Sequence, residues 1–286
     1  MASPIRIRQF DQVAAFLDRA GGFLSRREAE HNLPLGLAGR LLDDPHAFGK
    51  QAAYLALAET DDAVVAVAIR TPPHNLILSE VDDDRAVAAF VADLRATPLP
   101  GVLGPLEASR RFAELWSEET GLPARIQIAQ RIYRASEAVL PEGVPGRYRA
   151  YDDGDRDLVL GWLSAFAAES LPRGEPFAAE ELLDRRLAEP GGGFVLWEDG
   201  AATSVSSFGG ATPSGIRIGP VYTPPELRGR GYASALVAEL TRRLIAGGRQ
   251  FCFLFTDLAN PTSNSIYQRV GYRPVTDVNL WVFEQS

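Results

Sequence analysis

Cysteine is almost missing from this 286-residue chain: Cys252 stands alone, so no disulfide can form within it. Histidine is nearly as scarce. His31, His46 and His74 are scattered, none at the spacing of a metal-ligand set, and no metal is expected. No apolar run approaches the roughly 18 residues that a spanning helix needs. The opening Met1-Ala2-Ser3-Pro4-Ile5-Arg6 also lacks the basic-then-apolar layout of a signal peptide. A soluble, cytoplasmic protein without a membrane partner is expected. Positive charge is in deficit, 29 basic against 37 acidic residues for a net charge of -8, which disfavours the concentrated positive surface that nucleic acids require. Every basic residue but Lys50 is arginine. Codon usage or growth temperature would produce that bias, and arginine also suits phosphate recognition.

What is present suggests two domains of ordinary size. Leu140-Pro141-Glu142-Gly143-Val144-Pro145-Gly146 carries turn chemistry and little periodicity, which places a boundary there: domains at 1–140 and 147–286, with 141–146 as linker. In the second half, residues 147–151 read as a strand, and 155–169 as a helix with Leu158, Trp162 and Phe166 at i, i+4 and i+8. Residues 177–189 read as a second helix. Strands at 194–197 and 201–208 flank the hairpin signal Asp199-Gly200, and 216–222 adds a third. Residues 231–246 are helical, with Ala233, Leu236, Val237, Leu240 and Leu244 on one stripe. The unbroken apolar strand 251–255 follows, so a parallel pair is expected across that helix. A helix at 260–269 and a strand at 278–283 complete the order β-α-α-β-β-β-α-β-α-β, an α+β fold with a mixed, mostly antiparallel sheet flanked by helices.

The first half repeats this order more weakly. Strands are expected at 5–10, 54–57, 63–69, 75–78, 102–103 and 125–133, with Asp61-Asp62 at the hairpin turn. Helices are expected within 11–44 and at 85–95 and 107–120. Any α+β domain shows some alternation of this kind.

Two blocks in the second half carry chemistry. The first is Thr223-Pro224-Pro225-Glu226-Leu227-Arg228-Gly229-Arg230-Gly231-Tyr232-Ala233-Ser234. Its glycines let backbone approach a ligand, the following helix presents free N–H groups, and two arginines add charge, which together make an anion site. An isolated Gly-x-Gly before a helix is also a plain turn. The second block runs from Asn260-Pro261 through Ser263-Asn264-Ser265-Ile266-Tyr267 to Gly271-Tyr272. On a helix starting at Pro261, Asn260, Asn264 and Tyr267 share one face while Ile266 and Val270 lie on another. A single tyrosine on a short helix is usually a packing residue.

The two blocks in this order resemble the GNAT superfamily of acetyltransferases. Arg228, Gly231 and Ala233 match its acyl-CoA signature, and 218–224 is similar to its fourth strand, splayed from a fifth at 251–255. The resemblance implies acetyl-CoA as co-substrate. It implies a contact set of Val221, Tyr222, Thr223, Arg228, Gly229, Arg230, Gly231, Tyr232, Ala233, Ser234, Asn260, Ser263, Asn264 and Tyr267, in which Val221 and Thr223 offer backbone to the pantetheine arm. It makes Tyr267 the general acid at the thioester sulfur, the acceptor an amine, and the protein a monomer or homodimer. Cys252 lies mid-strand where a thiol is inert, so direct transfer through a ternary complex is expected in place of a covalent intermediate. Asp257 is the first choice for general base, with Glu169 and Glu175 as alternatives, and Glu226 reads as surface charge. A solvated residue or a helix cap is an equally good reading of Asp257.

The first half has Ser79-Glu80-Val81-Asp82-Asp83-Asp84-Arg85-Ala86 where the anion loop would be, four carboxylates and no glycine. Its 110–117 segment lacks the Asn and Tyr pattern. The chain thus looks like bacterial tandem GNAT proteins whose first copy has lost its CoA site. Two rival readings stand beside this one. A nicotinamide enzyme would need glycine where Ser234 stands; a non-catalytic acyl-CoA sensor would keep the cofactor site without turnover. The acceptor is open among small amines, amino-acid derivatives, aminoglycoside-like molecules and protein termini.

Overall fold

In β2 (Tyr54–Glu59) and β3 (Val64–Arg70) successive side chains face opposite ways, and both faces are buried. Ala56, Ala58, Ala66 and Ala68 face one way, a shallow surface on which α3 (Arg85–Leu94) and α4 (Leu106–Thr120) pack Phe90, Phe112 and Trp116. Leu55, Leu57, Val67 and Ile69 face the other way, under Phe16 and Phe23 of α1 (Val13–Ser25) and Leu35 and Leu41 of α2 (Asn32–Asp43). A sheet apolar on both faces needs helices on both.

The computed structural model describes residues 3–61, 63–171 and 177–284. Asp62 of the expected hairpin turn and Glu175, an alternative base, lie outside the described residues. The chain divides into a first unit of residues 1–132 with 275–286, and a second of 133–274. The expected boundary at 141–146 therefore falls inside the second unit, and the chain's last residues belong to the first.

In the first unit the strand order is β1-β2-β3-β4-β5-β12, with β1 (Arg6–Gln9), β4 (Leu76–Leu78), β5 (Gly101–Pro105) and β12 (Arg273–Phe283). Of these neighbours β4 and β5 run parallel and the other pairs antiparallel. The second unit holds the end of β6 (Ala124–Ala135), then β7 (Arg147–Ala150), α5 (Arg156–Ser170), α6 (Ala179–Ala188), β8 (Gly193–Asp199) and β9 (Ala201–Gly209). After these come β10 (Gly215–Tyr222), α7 (Tyr232–Ala246), β11 (Phe251–Asp257) and α8 (Pro261–Arg269). Its strand order is β6-β11-β10-β9-β8-β7, with β10 and β11 parallel. Helix α7 covers one face through Leu236, Val237 and Leu240. Helices α5 and α6 cover the other through Val159, Leu163, Leu182 and Leu183. The element order β-α-α-β-β-β-α-β-α thus occurs twice. Among the described residues no helix is long and apolar enough to cross a membrane.

Two local expectations change. The buried face of α5 is Val159 and Leu163, while Leu158 is 39% exposed. Apolar residues surround most of this helix, so more than one i, i+4 stripe can be drawn through it. The last strand begins at Arg273, ahead of 278, and residues Val278 to Val282 pair antiparallel with β5. Alternation identifies a strand but not its neighbour. Trp281 and Phe283 complete the first unit's core, with Phe283 5.7 Å from Trp116 between ring centroids.

Gly101 sits where β5 and β12 approach closely. A Cβ there would run into the Trp281 carbonyl and lie 2.8 Å from Asn75 Oδ1. Gly101→Ala is expected to destabilise the first unit by about 2 kcal/mol or more, as overpacking against backbone does; a chemical denaturation midpoint equal to that of the wild type would refute the tight pairing.

Candidate active site

The parallel ladder between β10 and β11 runs from Gly215↔Phe251 to Arg217↔Phe253 and stops, although the strands continue to Tyr222 and Asp257. After an irregularity between Ile218 and Val221, β10 stays with β9, pairing Val221↔Ser206 and Tyr222↔Val205. Buried hydroxyls hold it there. Ser207 Oγ donates to the Gly219 carbonyl at 2.6 Å, Ser204 Oγ to the Tyr222 carbonyl at 2.9 Å, and Thr223 Oγ1 to Ser204 Oγ at 2.9 Å. At the open end lies a cleft of about 560 Å³, within the usual range of ligand sites.

One end of the cleft is the 223–234 loop. Gly229 and Gly231 have φ of 79° and 85°, a left-handed backbone that suits glycine. Gly231 precedes α7 without any side-chain cap, which leaves the helix's first N–H groups and its positive end for an anion. Behind the loop, Tyr232 turns inward and donates to Asp199 Oδ2 at 2.7 Å, fixing the first turn of α7. Arg228 donates through Nε to the Thr223 carbonyl at 2.9 Å and through Nη2 to Glu169 Oε2 at 2.5 Å. Glu169 Oε1 accepts from the Tyr222 hydroxyl at 3.0 Å. Burial, then this bond to a carboxylate, pushes the Tyr222 hydroxyl up.

Across the cleft, Asn260 caps α8 by accepting from the Ser263 N–H at 3.0 Å, with Pro261 at the first helical position. Tyr267 lines the cleft, its ring edge-on to Tyr272 at 6.1 Å. Burial alone pushes its hydroxyl up to about 12, so it is a neutral phenol with its proton available at physiological pH. Cys252 is fully buried on β11, and burial likewise pushes its thiol up to about 12. It is not a thiolate at neutral pH.

Of the residues named from sequence, Val221, Tyr222, Thr223, Arg228, Gly229, Gly231, Tyr232, Ala233, Ser234, Asn260, Ser263 and Tyr267 line the cleft. Arg230, Asn264 and Asp257 are not among its lining residues. Arg230 reaches back to the Glu226 carbonyl at 3.4 Å. Asn264 Nδ2 donates to the carbonyls of Asp257 and Asn260 at 2.9 and 2.7 Å, and its Oδ1 accepts from Tyr133 at 3.1 Å, so the side chain ties α8 to the end of β6. Asp257 Oδ1 accepts from the Ala259 N–H at 2.8 Å and shapes the turn into α8. The carboxylate that does line the cleft is Glu169, joined by Phe166 and Ser170 of α5, Leu227, and Thr262, Ile266 and Arg269 of α8. Phe166, Glu169 and Ser170 share one helix face, which is the sequence signal that assigns α5 to the site.

The corresponding region of the first unit is closed. The Ser79 N–H donates to the Val67 carbonyl at 2.9 Å and the Asp82 N–H to the Val65 carbonyl at 2.8 Å, folding the loop back along β3. Its Glu80 N–H donates to buried His31 Nε2 at 3.1 Å. Strands β4 and β5 stay so close that a Cβ on Gly104 would lie 3.0 Å from that of Leu78.

Residues 211–282, which contain nearly all of this cleft, match the family model of FR47-like proteins. No curated protein matches the chain in sequence. Solved structures do match in fold. A GCN5-related N-acetyltransferase from Sphaerobacter thermophilus is similar with a TM-score of 0.60 at 18% identity, over 97% of this chain and 94% of that one. The fold is that of the GNAT acetyltransferases. A Drosophila protein matches with a TM-score of 0.68 at 15% identity over 98% of both chains. A tandem GNAT protein from the clavulanic acid biosynthesis pathway matches with a TM-score of 0.54 at 12% identity, again over 98% of both. The likeness in fold to that tandem GNAT structure thus takes in both units.

The two loop glycines should respond unequally to substitution. Gly229→Ala meets no neighbour and is expected to lose about 1–2 kcal/mol from its left-handed backbone alone. Gly231→Ala would also place its Cβ 2.8 Å from Val144 Cγ2 and should lose more. Urea denaturation of the two variants side by side tests this, and equal losses would show that Val144 gives way.

Proposed function

We propose that the second unit binds acetyl-CoA in the cleft and transfers the acetyl group directly to an amine acceptor. The observation that carries this reading is the convergence on one cleft of an opened parallel strand pair, an uncapped helix N-terminus and a half-buried, neutral tyrosine. In this reading the α7 N-terminus, Gly229, Gly231 and Arg228 receive the pyrophosphate. The backbone of β10 at Val221, and of Thr223 just past its end, pairs with the pantetheine arm as an added strand, and Asn260 and Ser263 border it from α8.

The chemistry follows from the residues present. The acceptor nitrogen gives up a proton and attacks the thioester carbonyl, whose oxygen is stabilised by a backbone N–H such as that of Val221. The tetrahedral intermediate collapses with cleavage of the C–S bond, and Tyr267 protonates the leaving thiolate. Glu169 is the better proposal than Asp257 for the carboxylate that takes the acceptor's proton, because it borders the cleft while Asp257 is engaged with the turn before α8. A covalent acetyl-cysteine route is disfavoured by the buried, protonated state of Cys252. The domain proposal is that the N-terminal copy, about residues 1–140, lacks a CoA site. The acidic loop of Glu80, Asp82, Asp83 and Asp84, and its attachment to β3, support this.

Tyr267→Phe is expected to keep acetyl-CoA binding and lose about 10²–10⁴-fold in turnover, the usual contribution of a positioned general acid. Release of CoA thiol across an acceptor panel, beside a thermal-shift titration with acetyl-CoA, measures both. Binding without turnover in the wild type would favour a sensor, and the absence of any shift would refute the CoA site. Because burial raises the Tyr267 hydroxyl to about 12, the wild-type rate should show no loss from its ionisation up to about pH 10, where an ordinary tyrosine is already half ionised.

A further inference from the structure

The guanidinium expected to meet the pyrophosphate already holds an anion. Arg228 Nη2 donates to Glu169 Oε2 at 2.5 Å, and its plane lies over the Tyr222 ring, 5.6 Å from the centroid. Glu169 is therefore fastened through both oxygens, one to Arg228 and one to the Tyr222 hydroxyl. Carboxylate and phosphate present the same kind of acceptor to a guanidinium, so a phosphate that draws Arg228 towards itself draws it away from Glu169. The N–H groups of α7 are fixed in the helix, whereas Arg228 sits on a side chain that can redirect. It is the movable part of the anion site.

Resting on the acetyl-CoA reading, we propose that Glu169 and the CoA pyrophosphate compete for Arg228, so that filling the cleft frees the Glu169 carboxylate to receive the acceptor's ammonium. Before CoA arrives, Glu169 is neutralised by Arg228 and is a poor partner for a cation. Once the pyrophosphate takes over Arg228, Glu169 regains an uncompensated charge beside the cleft. The contact is suited to such an exchange because both partners are substantially exposed, at 46% and 40% of their side chains, and an ion pair so hydrated is readily replaced.

The test is a calorimetric titration of wild type, Glu169→Gln, Arg228→Gln and the double variant, each with CoA and with pantetheine, which lacks the phosphates. Glutamine at 169 keeps an acceptor for Tyr222, and unchanged thermal midpoints will show that α5 remains packed. Glu169→Gln should bind CoA about two- to fivefold more tightly, the factor for an exposed ion pair, with pantetheine affinity unchanged. In the Arg228→Gln background the same substitution should have no effect on CoA. Unchanged or weaker CoA binding by Glu169→Gln, an equal gain for pantetheine, or a gain that persists without Arg228 would each overturn the competition. Failure of the wild type to bind CoA at all would instead refute the acetyl-CoA reading, and the competition with it.

Discussion

Parting two parallel strands leaves a row of backbone donors and acceptors without partners, and the cleft depends on β10 tolerating this on its β11 side. It does so because β9 holds it from the other side. Ser204, Ser206 and Ser207 are fully buried in a strand where the apolar pattern would favour valine or isoleucine, and two of them, with Thr223, fasten β10 through its carbonyls and loop. The corresponding strand of the first unit, β3, reads Val64-Val65-Ala66-Val67-Ala68-Ile69-Arg70, without a hydroxyl among them. There the loop after β4 turns back onto β3. The same element order therefore yields an open slot in one unit and a closed core in the other.

Charge works on a smaller scale than the chain's net value of -8 suggests. Near the α7 N-terminus the helix dipole and Arg228 make a local positive region, within reach of a phosphate because glycine backbone takes the place of side chains. The first unit carries Glu80, Asp82, Asp83 and Asp84 at the matching place, and Asp83 is engaged by Arg85 at 2.6 Å. The polarity of the loop is reversed between the units while the strands and helices around it are kept.

Most of the architecture was legible because period and punctuation agree. The 231–246 stripe, the apolar run 251–255, the Asp199-Gly200 turn and the Asn260-Pro261 cap each point to the element found. What escaped were relations between distant residues. Nothing in 278–283 says that β5 is its neighbour, and nothing local to Glu169 says that Arg228 reaches it. Asn264 shows the limit of helical-face reasoning: it lies one turn from Asn260, yet Tyr133 and two carbonyls claim its side chain. Asp257 shows the same for loops, where a carboxylate near a site is engaged by the turn that carries it.

The placement of β12 bears on how the protein is made. Domains generally fold as units as they leave the ribosome, the N-terminal one first. Here residues 275–286 belong to the first unit, so Phe112 and Trp116 wait for Trp281 and Phe283 until all of 133–274 has been synthesised. The N-terminal unit is the first to begin folding and cannot finish before the second has been synthesised. Loss of β12 would therefore harm the unit that is built mostly from residues far from it in sequence.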